Sequence, residues 1–250
     1  MKILNGGCRV YEAQDGSVSQ SGTFTARSIM SKASGAKQIT QAVNDYAPGV
    51  SPAAVNPTSE EVLYVASGEG VCRINGFAYA IRPGAAIFIP PGAHYHFEAA
   101  TPVRVIAACC PEDSQRKLFD PPVENAAGVA PHLTVHQDDR EQIRAGADRI
   151  FRYLVHTDLG CKHVTQFVGW IPRSKAPFHL HTYEEGIFIL EGRGILHLEG
   201  QMSASEFGPG TSIYLPDGVV HCLENPWDEP IRLLGVFHPS GSPGAAYEDN

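Results

Sequence analysis

Three histidines and one glutamate in the C-terminal half have the residue types and spacing of a metal site. His179 and His181 are two residues apart, so on an extended strand both side chains leave the same face. Glu185 keeps this parity at the start of a short apolar run, and His221 follows a Pro-x-Gly turn on a second strand. Brought to one point, three imidazoles and one carboxylate suit a borderline divalent metal such as Mn, Fe, Co, Ni, Cu or Zn.

The gapped pattern around these residues resembles the paired signature of the cupin superfamily. It reads His-x-His-x3-Glu-x6-Gly over residues 179–192, then Gly-x5-Pro-x-Gly-x2-His-x3-Asn over residues 210–225. The resemblance implies that His179, His181, Glu185 and His221 are metal ligands inside a small jelly-roll barrel. It also implies one divalent transition metal in the C-terminal barrel of each chain.

The first half of the chain repeats this framework. Glu61 and Gly68 precede Glu185 and Gly192 by 124 residues, and the Gly-x5-Pro-x-Gly pattern of residues 84–92 recurs 126 residues later. Gly 25 and Pro 19 punctuate many short segments, which favours an all-β architecture. By resemblance, the chain is a bicupin of two tandem jelly-roll barrels, an all-β fold.

The two copies differ where the chemistry would be. Val55, Pro57 and Tyr95 occupy the positions that correspond to the three histidines, and Glu61 alone is kept. Valine and proline cannot ligate a metal through their side chains. We therefore predict an N-terminal barrel at residues 1–125 without an intact metal motif and a C-terminal barrel at residues 126–250 with the metal site.

The charge and the apolar pattern of the sequence exclude some classes of binding partner. The formal net charge is −8 with no Lys/Arg cluster, which argues against a nucleic-acid partner. No apolar run approaches membrane-spanning length, and the first residues carry no signal-peptide core, so we expect a cytoplasmic protein without a membrane partner. The six cysteines form no CxxC and are expected to be reduced. The expected partners are a small-molecule substrate and further copies of the chain, in a homodimer or higher homo-oligomer.

Two further side chains are candidate catalytic residues. Tyr183 lies in the turn between His181 and Glu185, where it could offer a phenol at the opening of the site, or pack there. Lys175 shares strand parity with His179 and could point toward an anionic substrate, as could Arg173. For both cations the alternative is a solvated charge at a strand edge.

Comparison with known cupin enzymes reduces the number of possible reactions but does not select one. Oxalate decarboxylases carry an arginine three residues before the first ligand histidine, where this chain has Ala176. The first half also resembles ureidoglycine aminohydrolases, which use one manganese in the second barrel. Their second-barrel ligands read Glu-x-His-x3-His with a later Gln, unlike the set in this chain.

Three function hypotheses remain. The first is a metal-dependent dioxygenase-type enzyme that acts on a small oxygenated or anionic organic molecule. The second is a redox-neutral enzyme, either a manganese aminohydrolase or an isomerase. The third is a small-molecule-binding module without catalysis. An open coordination position beside four protein ligands favours an enzyme.

Overall fold

The computed structural model describes residues 1–112, 115–123, 125–146, 148–200 and 204–245. These ranges form an all-β structure with four one-turn 3-10 helices, at Asn5–Gly7, Lys32–Ser34, Gln137–Asp139 and Thr157–Leu159. The strands are β1 (Lys2–Ile3), β2 (Arg9–Tyr11), β3 (Ser17–Ser21), β4 (Phe24–Met30), β5 (Thr40–Tyr46), β6 (Gly49–Val50), β7 (Ala53–Val55), β8 (Glu60–Ser67), β9 (Gly70–Ile74), β10 (Phe77–Ile81), β11 (Ala85–Ile89), β12 (His94–Ala99), β13 (Val103–Cys110), β14 (Lys117–Phe119), β15 (Thr134–His136), β16 (Ile143–Ala145), β17 (Arg149–Val155), β18 (Thr165–Ile171), β19 (Ser174–Lys175), β20 (Glu184–Glu191), β21 (Gly194–Leu198), β22 (Ser205–Phe207), β23 (Ser212–Leu215), β24 (His221–Asn225) and β25 (Ile231–His238).

The strands form two β-barrels, each built from two sheets. The sheets of the N-terminal barrel have the orders β15-β11-β8-β13-β5-β4-β3 and β10-β9-β12-β7-β14, with β6 on β12. Those of the C-terminal barrel have the orders β1-β2-β23-β20-β25-β18-β17-β16 and β19-β24-β21-β22. The predicted all-β pair of barrels is confirmed. No helix in the described part of the chain has the length and apolar character needed to cross a membrane.

Strand pairing crosses the predicted boundary at residues 125 and 126 in both directions. Strand β2 joins the C-terminal barrel, with Val10 opposite Ile213 on β23. Strand β15 joins the N-terminal barrel, with Val135 opposite Ala86 on β11. Each barrel thus contains a strand from the other half of the sequence, and the boundary itself stays a prediction.

In the described part of the chain, three hydrophobic clusters form the core. One fills the N-terminal barrel around Leu63 and Phe97, and another fills the C-terminal barrel around Ile187 and Phe237. The third lies between the barrels and takes residues from both halves, among them Met30, Tyr64, Ile106, Leu154, Val168 and Val236. Strands β8 and β20 are therefore buried on both faces, which explains why their sequences are nearly continuous apolar runs.

A buried glutamate at the start of β8 binds a loop of the other barrel. The Glu60 carboxylate accepts hydrogen bonds from the backbone N–H groups of Lys162 and His163, at 2.9 and 2.8 Å. The Cys161 thiol donates to the same carboxylate at 3.2 Å. A buried carboxylate without such donors would cost several kcal/mol, so these contacts satisfy a charge that lies between the barrels.

Glu184, at the start of β20, makes the equivalent contact with a loop of the N-terminal half. It accepts from the backbone N–H of Gln38 at 3.0 Å and from the Tyr214 hydroxyl at 2.7 Å. Glu60 and Glu184 lie 124 residues apart, at equivalent positions of the two copies. The pair thus ties each barrel to a loop of the other through a quasi-symmetric arrangement, which we call the carboxylate clamps.

The clamped loops are themselves a repeat. Residues 35–40 read Gly-Ala-Lys-Gln-Ile-Thr and residues 160–165 read Gly-Cys-Lys-His-Val-Thr, at a shift of 125. Gly35 and Gly160 end equivalent 3-10 turns with φ values of 102° and 85°, a left-handed conformation that glycine adopts at little cost. The repeat of the fold therefore includes the loops that connect the barrels.

Replacing either clamp should loosen the barrel interface. In Glu60→Ala and Glu184→Ala, two backbone or hydroxyl donors lose a charged acceptor, so we expect a loss of about 1–3 kcal/mol of unfolding free energy in each. Chemical denaturation measures this loss. The exposed Glu206→Ala on β22 is the matched control and should unfold like the wild type. Wild-type stability in both clamp variants would contradict the proposed role.

Candidate metal centre

Two backbone hydrogen bonds bring the histidine-bearing segments together. The N–H of His179 donates to the carbonyl of His221 at 3.0 Å, and the N–H of His221 donates to the carbonyl of His179 at 2.8 Å. His179 lies on an extended segment before β20, whereas His221 is the first residue of β24. The N–H of Gly218 donates to the carbonyl of His181 at 2.8 Å and holds the turn against the same segment.

The three histidine side chains converge. Their ligating nitrogens, one from each of His179, His181 and His221, lie within 4.8 Å of one another. The ring of His221 is 4.5 Å from that of His179 and 5.5 Å from that of His181, measured between centroids. This histidine triad could hold a metal ion, as the spacing predicts.

Backbone carbonyls set the tautomers of two of these rings. Nδ1 of His179 donates to the carbonyl of Pro177 at 3.0 Å, and Nδ1 of His221 donates to that of Val219 at 2.9 Å. With the proton on Nδ1, the lone pair lies on Nε2. Metal-ligating histidines usually have such a partner for the second ring nitrogen, so the donor set fits a divalent ion.

Glu185 lies beside the triad on β20. Its Oε2 is 3.7 Å from Nε2 of His181, and its side chain is buried in the wall of the same cavity. It is not part of the group in which all ligating atoms lie within 4.8 Å. The structure thus brings the three histidines together and places Glu185 next to them, while its role as fourth ligand stays a prediction.

Burial controls the charge of this site. It lowers the pKa of His181 to about 3 and that of His221 to about 4; repulsion between protonated imidazoles, and for His221 the Arg149 charge, add to the effect. It raises the pKa of Glu185 to about 8. At neutral pH the two imidazoles are therefore uncharged and ready to ligate, whereas the metal-free carboxyl group holds its proton.

The cavity above the triad is small and mostly apolar. Its volume of about 70 Å³ holds about five to seven water molecules at roughly 10–15 Å³ each. The apolar side chains in its lining are Ala145, Ile150, Phe151, Phe167, Trp170, Ile171, Leu223, Leu233, Phe237 and Pro243. The site therefore excludes most bulk water and accommodates a compact ligand.

A buried arginine, missed by the sequence analysis, lines the same cavity. Arg149 is the first residue of β17 and shares the inward parity of Phe151, a signal that could have identified it. One Nη donates to the carbonyl of Leu223 at 2.5 Å, and Nε is buried without a hydrogen-bond partner. The positive charge of Arg149 helps to lower the pKa of His221, which places it within electrostatic reach of the triad.

The predicted catalytic side chains have other partners. The Tyr183 hydroxyl donates to the carbonyl of Ser242 at 2.6 Å, and its ring stacks on His181 at 5.0 Å between centroids. Lys175 is exposed and lies 3.4 Å from the Glu224 carboxylate. Neither is among the residues that line the cavity, so their catalytic assignment gains no support from the geometry. Tyr183 instead packs behind the triad.

Arg173 is a solvated charge at a strand edge, the alternative given for it in the sequence analysis. Its guanidinium pairs with Asp228 at 3.0 Å, and both side chains are exposed. The segment that precedes the ligand histidines places its basic residues on solvent, where they pair with acidic side chains. Among the described residues that line the cavity, Arg149 is the cation.

In the N-terminal barrel, a hydrogen-bonded network occupies the corresponding place. The buried hydroxyl of Tyr95 donates to the Glu61 carboxylate at 2.6 Å, and Arg116 donates to the same hydroxyl at 2.9 Å. Nε of Arg116 also lies 3.7 Å from Glu61. Where the C-terminal barrel has His221 and Glu185, this barrel has a tyrosine and a carboxylate bound to each other and to an arginine.

Two β-barrels, one of which holds a histidine triad that could bind a metal ion, define the class of double-barrel protein to which the chain belongs. The family model described as "Cupin domain" matches residues 43–109 and 167–237, together more than half of the chain. The chain belongs to the cupin family, with one domain copy in each half.

Curated relatives match parts of the chain. The chain is 26% identical over 144 residues to (S)-ureidoglycine aminohydrolase of Escherichia coli K12, a match that covers 56% of this chain and 52% of the relative. It is 37% identical over 67 residues to an uncharacterized protein of Methanocaldococcus jannaschii, covering 26% of this chain and 52% of that one. The chain thus spans about half the length of these relatives.

Among solved structures, oxalate decarboxylase OxdC of Bacillus subtilis has a similar fold. A mutant of that enzyme superimposes with a TM-score of 0.75 at 14% identity, covering 92% of this chain and 76% of that one. A second oxalate decarboxylase structure gives a TM-score of 0.77 at 14% identity, covering 93% and 77%. Because the sequences are only 14% identical, the structural similarity shows a shared two-barrel fold and no more.

Metal loading should give one ion per chain. Wild-type protein loaded with Co²⁺ and freed of excess ion is expected to hold close to one equivalent by elemental analysis. Loss of a histidine ligand in His181→Ala should weaken binding at least ~100-fold. Glu61→Gln, at the corresponding place of the N-terminal barrel, is the matched control and should keep one equivalent. Two equivalents in the wild type, with one lost in Glu61→Gln, would contradict the assignment.

Metal affinity should also depend on pH through Glu185. Below pH 8 the carboxyl group must release a proton in order to ligate, so Co²⁺ affinity should rise about tenfold per pH unit between pH 6 and 8. His181 and His221, already uncharged in this window, add no slope.

Titrations at several pH values test this dependence. Glu185→Gln has no proton to release and should bind Co²⁺ more weakly with a flat pH profile. The exposed Glu191→Gln, on the same strand, should keep the wild-type slope. An unchanged slope in Glu185→Gln would rule out Glu185 as the titrating ligand.

Proposed function

We propose that the chain is a metal-dependent enzyme that acts on a small oxygenated or anionic organic molecule in the C-terminal barrel, with dioxygenase-type chemistry. The observation that carries the proposal is the histidine triad at the base of a small apolar cavity. Two of its rings are held by backbone carbonyls with Nε2 as the lone-pair nitrogen. Rigid, uncharged imidazoles are the donors that a redox-active divalent ion accepts.

His179, His181 and His221 would hold the ion, with Glu185 as the fourth ligand. When bound, such an ion polarises a substrate oxygen and, if redox-active, supports reaction with dioxygen. The protein contributes fixed ligand positions and a wall of aromatic and aliphatic side chains that keeps water away. The small volume of the cavity limits the reacting part of the substrate to a few heavy atoms.

The composition of the cavity favours dioxygenase chemistry over hydrolysis. The ionisable residues in its described lining are the three histidines, Glu185 and Arg149. Arginine keeps its proton, so hydrolysis would depend on water activated by the metal, without a separate protein base in the described lining. Apolar walls suit a gaseous co-substrate.

A redox-neutral reaction is the second candidate, because the chain is 26% identical over 144 residues to (S)-ureidoglycine aminohydrolase. That similarity supports a small polar substrate and a hydrolytic reaction. The order of the ligands, His-x-His-x3-Glu, differs from the pattern of the aminohydrolases and makes this candidate the weaker one. Decarboxylation of oxalate is disfavoured because Ala176 stands where oxalate decarboxylases carry an arginine.

Oxygen uptake distinguishes the candidates. Fe²⁺-, Ni²⁺-, Cu²⁺- and Mn²⁺-loaded protein would be screened against small enols, 2-oxo acids and catechols with an oxygen electrode and product analysis. We expect uptake coupled to substrate loss, reduced by at least ~100-fold in His181→Ala.

Two controls complete the screen. His197→Ala removes a histidine that binds Glu224 outside the cavity, so it should retain activity. Equal turnover under strict anaerobiosis would favour the redox-neutral candidate. Tight ligand binding by metal-free protein without any turnover would favour a non-enzymatic binding module.

A further inference from the structure

The most unusual group near the triad is a buried positive charge without a counter-ion. Arg149 is 8% exposed, and no carboxylate in the described part of the chain forms an ion pair with it. The other cations near this end of the barrel, Lys175 and Arg173, have acidic partners at the surface. Burying an unpaired guanidinium is costly, so its retention calls for an anion that comes from elsewhere.

Structural contacts of Arg149 account for only part of its hydrogen-bonding capacity. One Nη donates to the carbonyl of Leu223 and fixes the guanidinium between β17 and β24. Nε is completely buried and has no partner. A planar guanidinium offers donors in a fork that matches a carboxylate, so a group held at one edge is oriented to bind an anion with the other.

The charge balance of the metal-loaded site also favours an anionic ligand. With uncharged histidines and an ionised Glu185, a divalent ion and Arg149 leave an excess of two positive charges in an apolar cavity. Among the described lining residues, Glu185 is the acidic one, so the protein does not supply the compensating charge there. A carboxylate, together with a second partly negative oxygen, would neutralise most of this excess.

We propose that Arg149 binds the carboxylate of the substrate, so that the substrate class of this site is a short-chain carboxylate with an oxygen on the neighbouring carbon. The carboxylate lies against Arg149, the 2-oxo, 2-hydroxy or enol oxygen faces the triad, and the small apolar remainder contacts the aromatic wall. This inference deepens the proposed function and rests on it for the orientation toward the metal. The binding of the anion by Arg149 does not require the metal.

Matched pairs of carboxylates and carboxamides test the inference, because the members of each pair have nearly the same shape and differ in charge. The probes are pyruvate with pyruvamide, lactate with lactamide, and butyrate with butyramide. Binding to metal-free and to Zn²⁺-loaded protein is measured by calorimetry or ligand-observed NMR. We expect the carboxylate to bind roughly 10- to 100-fold more tightly in at least the pyruvate pair.

Variants then assign the preference to Arg149. Arg149→Met should abolish it while retaining Zn²⁺ binding, and Arg149→Lys should keep part of it as a point charge without the planar fork. Arg144→Met removes an exposed arginine of β16 and should behave like the wild type. An equal preference in folded Arg149→Met and wild-type protein would overturn the inference, as would a wild type that shows no preference in any pair.

Three further outcomes keep the test decisive. If both Arg149 variants fail to fold, a wild-type crystal soaked with pyruvate must show the carboxylate within hydrogen-bond distance of the guanidinium; a carboxylate bound elsewhere would refute the assignment. If Zn²⁺ does not bind but the Arg149-dependent preference persists, the proposed metal chemistry fails and the anion site stands. If Zn²⁺ binds and the preference does not depend on Arg149, the anion site fails and the metal site stands.

Discussion

The pair of backbone hydrogen bonds between His179 and His221 is the interaction on which the site depends. It joins two segments that are 42 residues apart in sequence and aligns their side chains toward one cavity. Because side chains alternate along an extended backbone, a shift of one residue in this pairing would turn the imidazoles away from each other. The Gly218 N–H bond to the carbonyl of His181 holds the register on the other side of the turn.

Burial of this pairing then determines the charges. The apolar wall that excludes water keeps His181 and His221 uncharged and makes Glu185 retain its proton until a cation arrives. The same wall keeps water from screening the charge of Arg149, so this charge acts strongly on its surroundings. The proposed metal affinity and the proposed preference for an anion would therefore be two results of one cause, the low polarity of the barrel interior.

The sequence was sufficient to predict those features of the fold and the site that depend on local residue spacing. Strand parity predicted that His179 and His181 point to one side, and the repeat predicted two barrels with Tyr95 in place of a ligand. It did not identify contacts made by distant segments. The Tyr183 phenol is bound by the carbonyl of Ser242, from the C-terminal segment, and no local pattern near Tyr183 indicates this.

Other features were readable but were not recognised. The Gly-x-Lys-x-x-Thr repeat at residues 35–40 and 160–165 predicts equivalent loops, yet only the folded chain shows that Glu60 and Glu184 bind them. The pairing of β2 with the C-terminal barrel and of β15 with the N-terminal barrel was likewise visible only in the folded chain. Which segment pairs with a sheet edge depends on which segment reaches that edge. The pattern of either half alone does not show such pairing between segments from different halves.

The two barrels show how one framework can support different interiors. In the N-terminal copy, Tyr95 donates to Glu61 and accepts from Arg116, so the carboxylate is satisfied within the protein. In the C-terminal copy, no described tyrosine donates a comparable hydrogen bond to Glu185, and no described carboxylate neutralises Arg149. The first arrangement is internally compensated. In the second, Glu185 holds its proton until a cation binds, so the proposed metal ion would pair with the ionised Glu185 and the proposed anion with Arg149. Such a site should hold its metal and its substrate more tightly jointly than separately, which is a reason for one barrel to bind ligands and for its partner to provide structure.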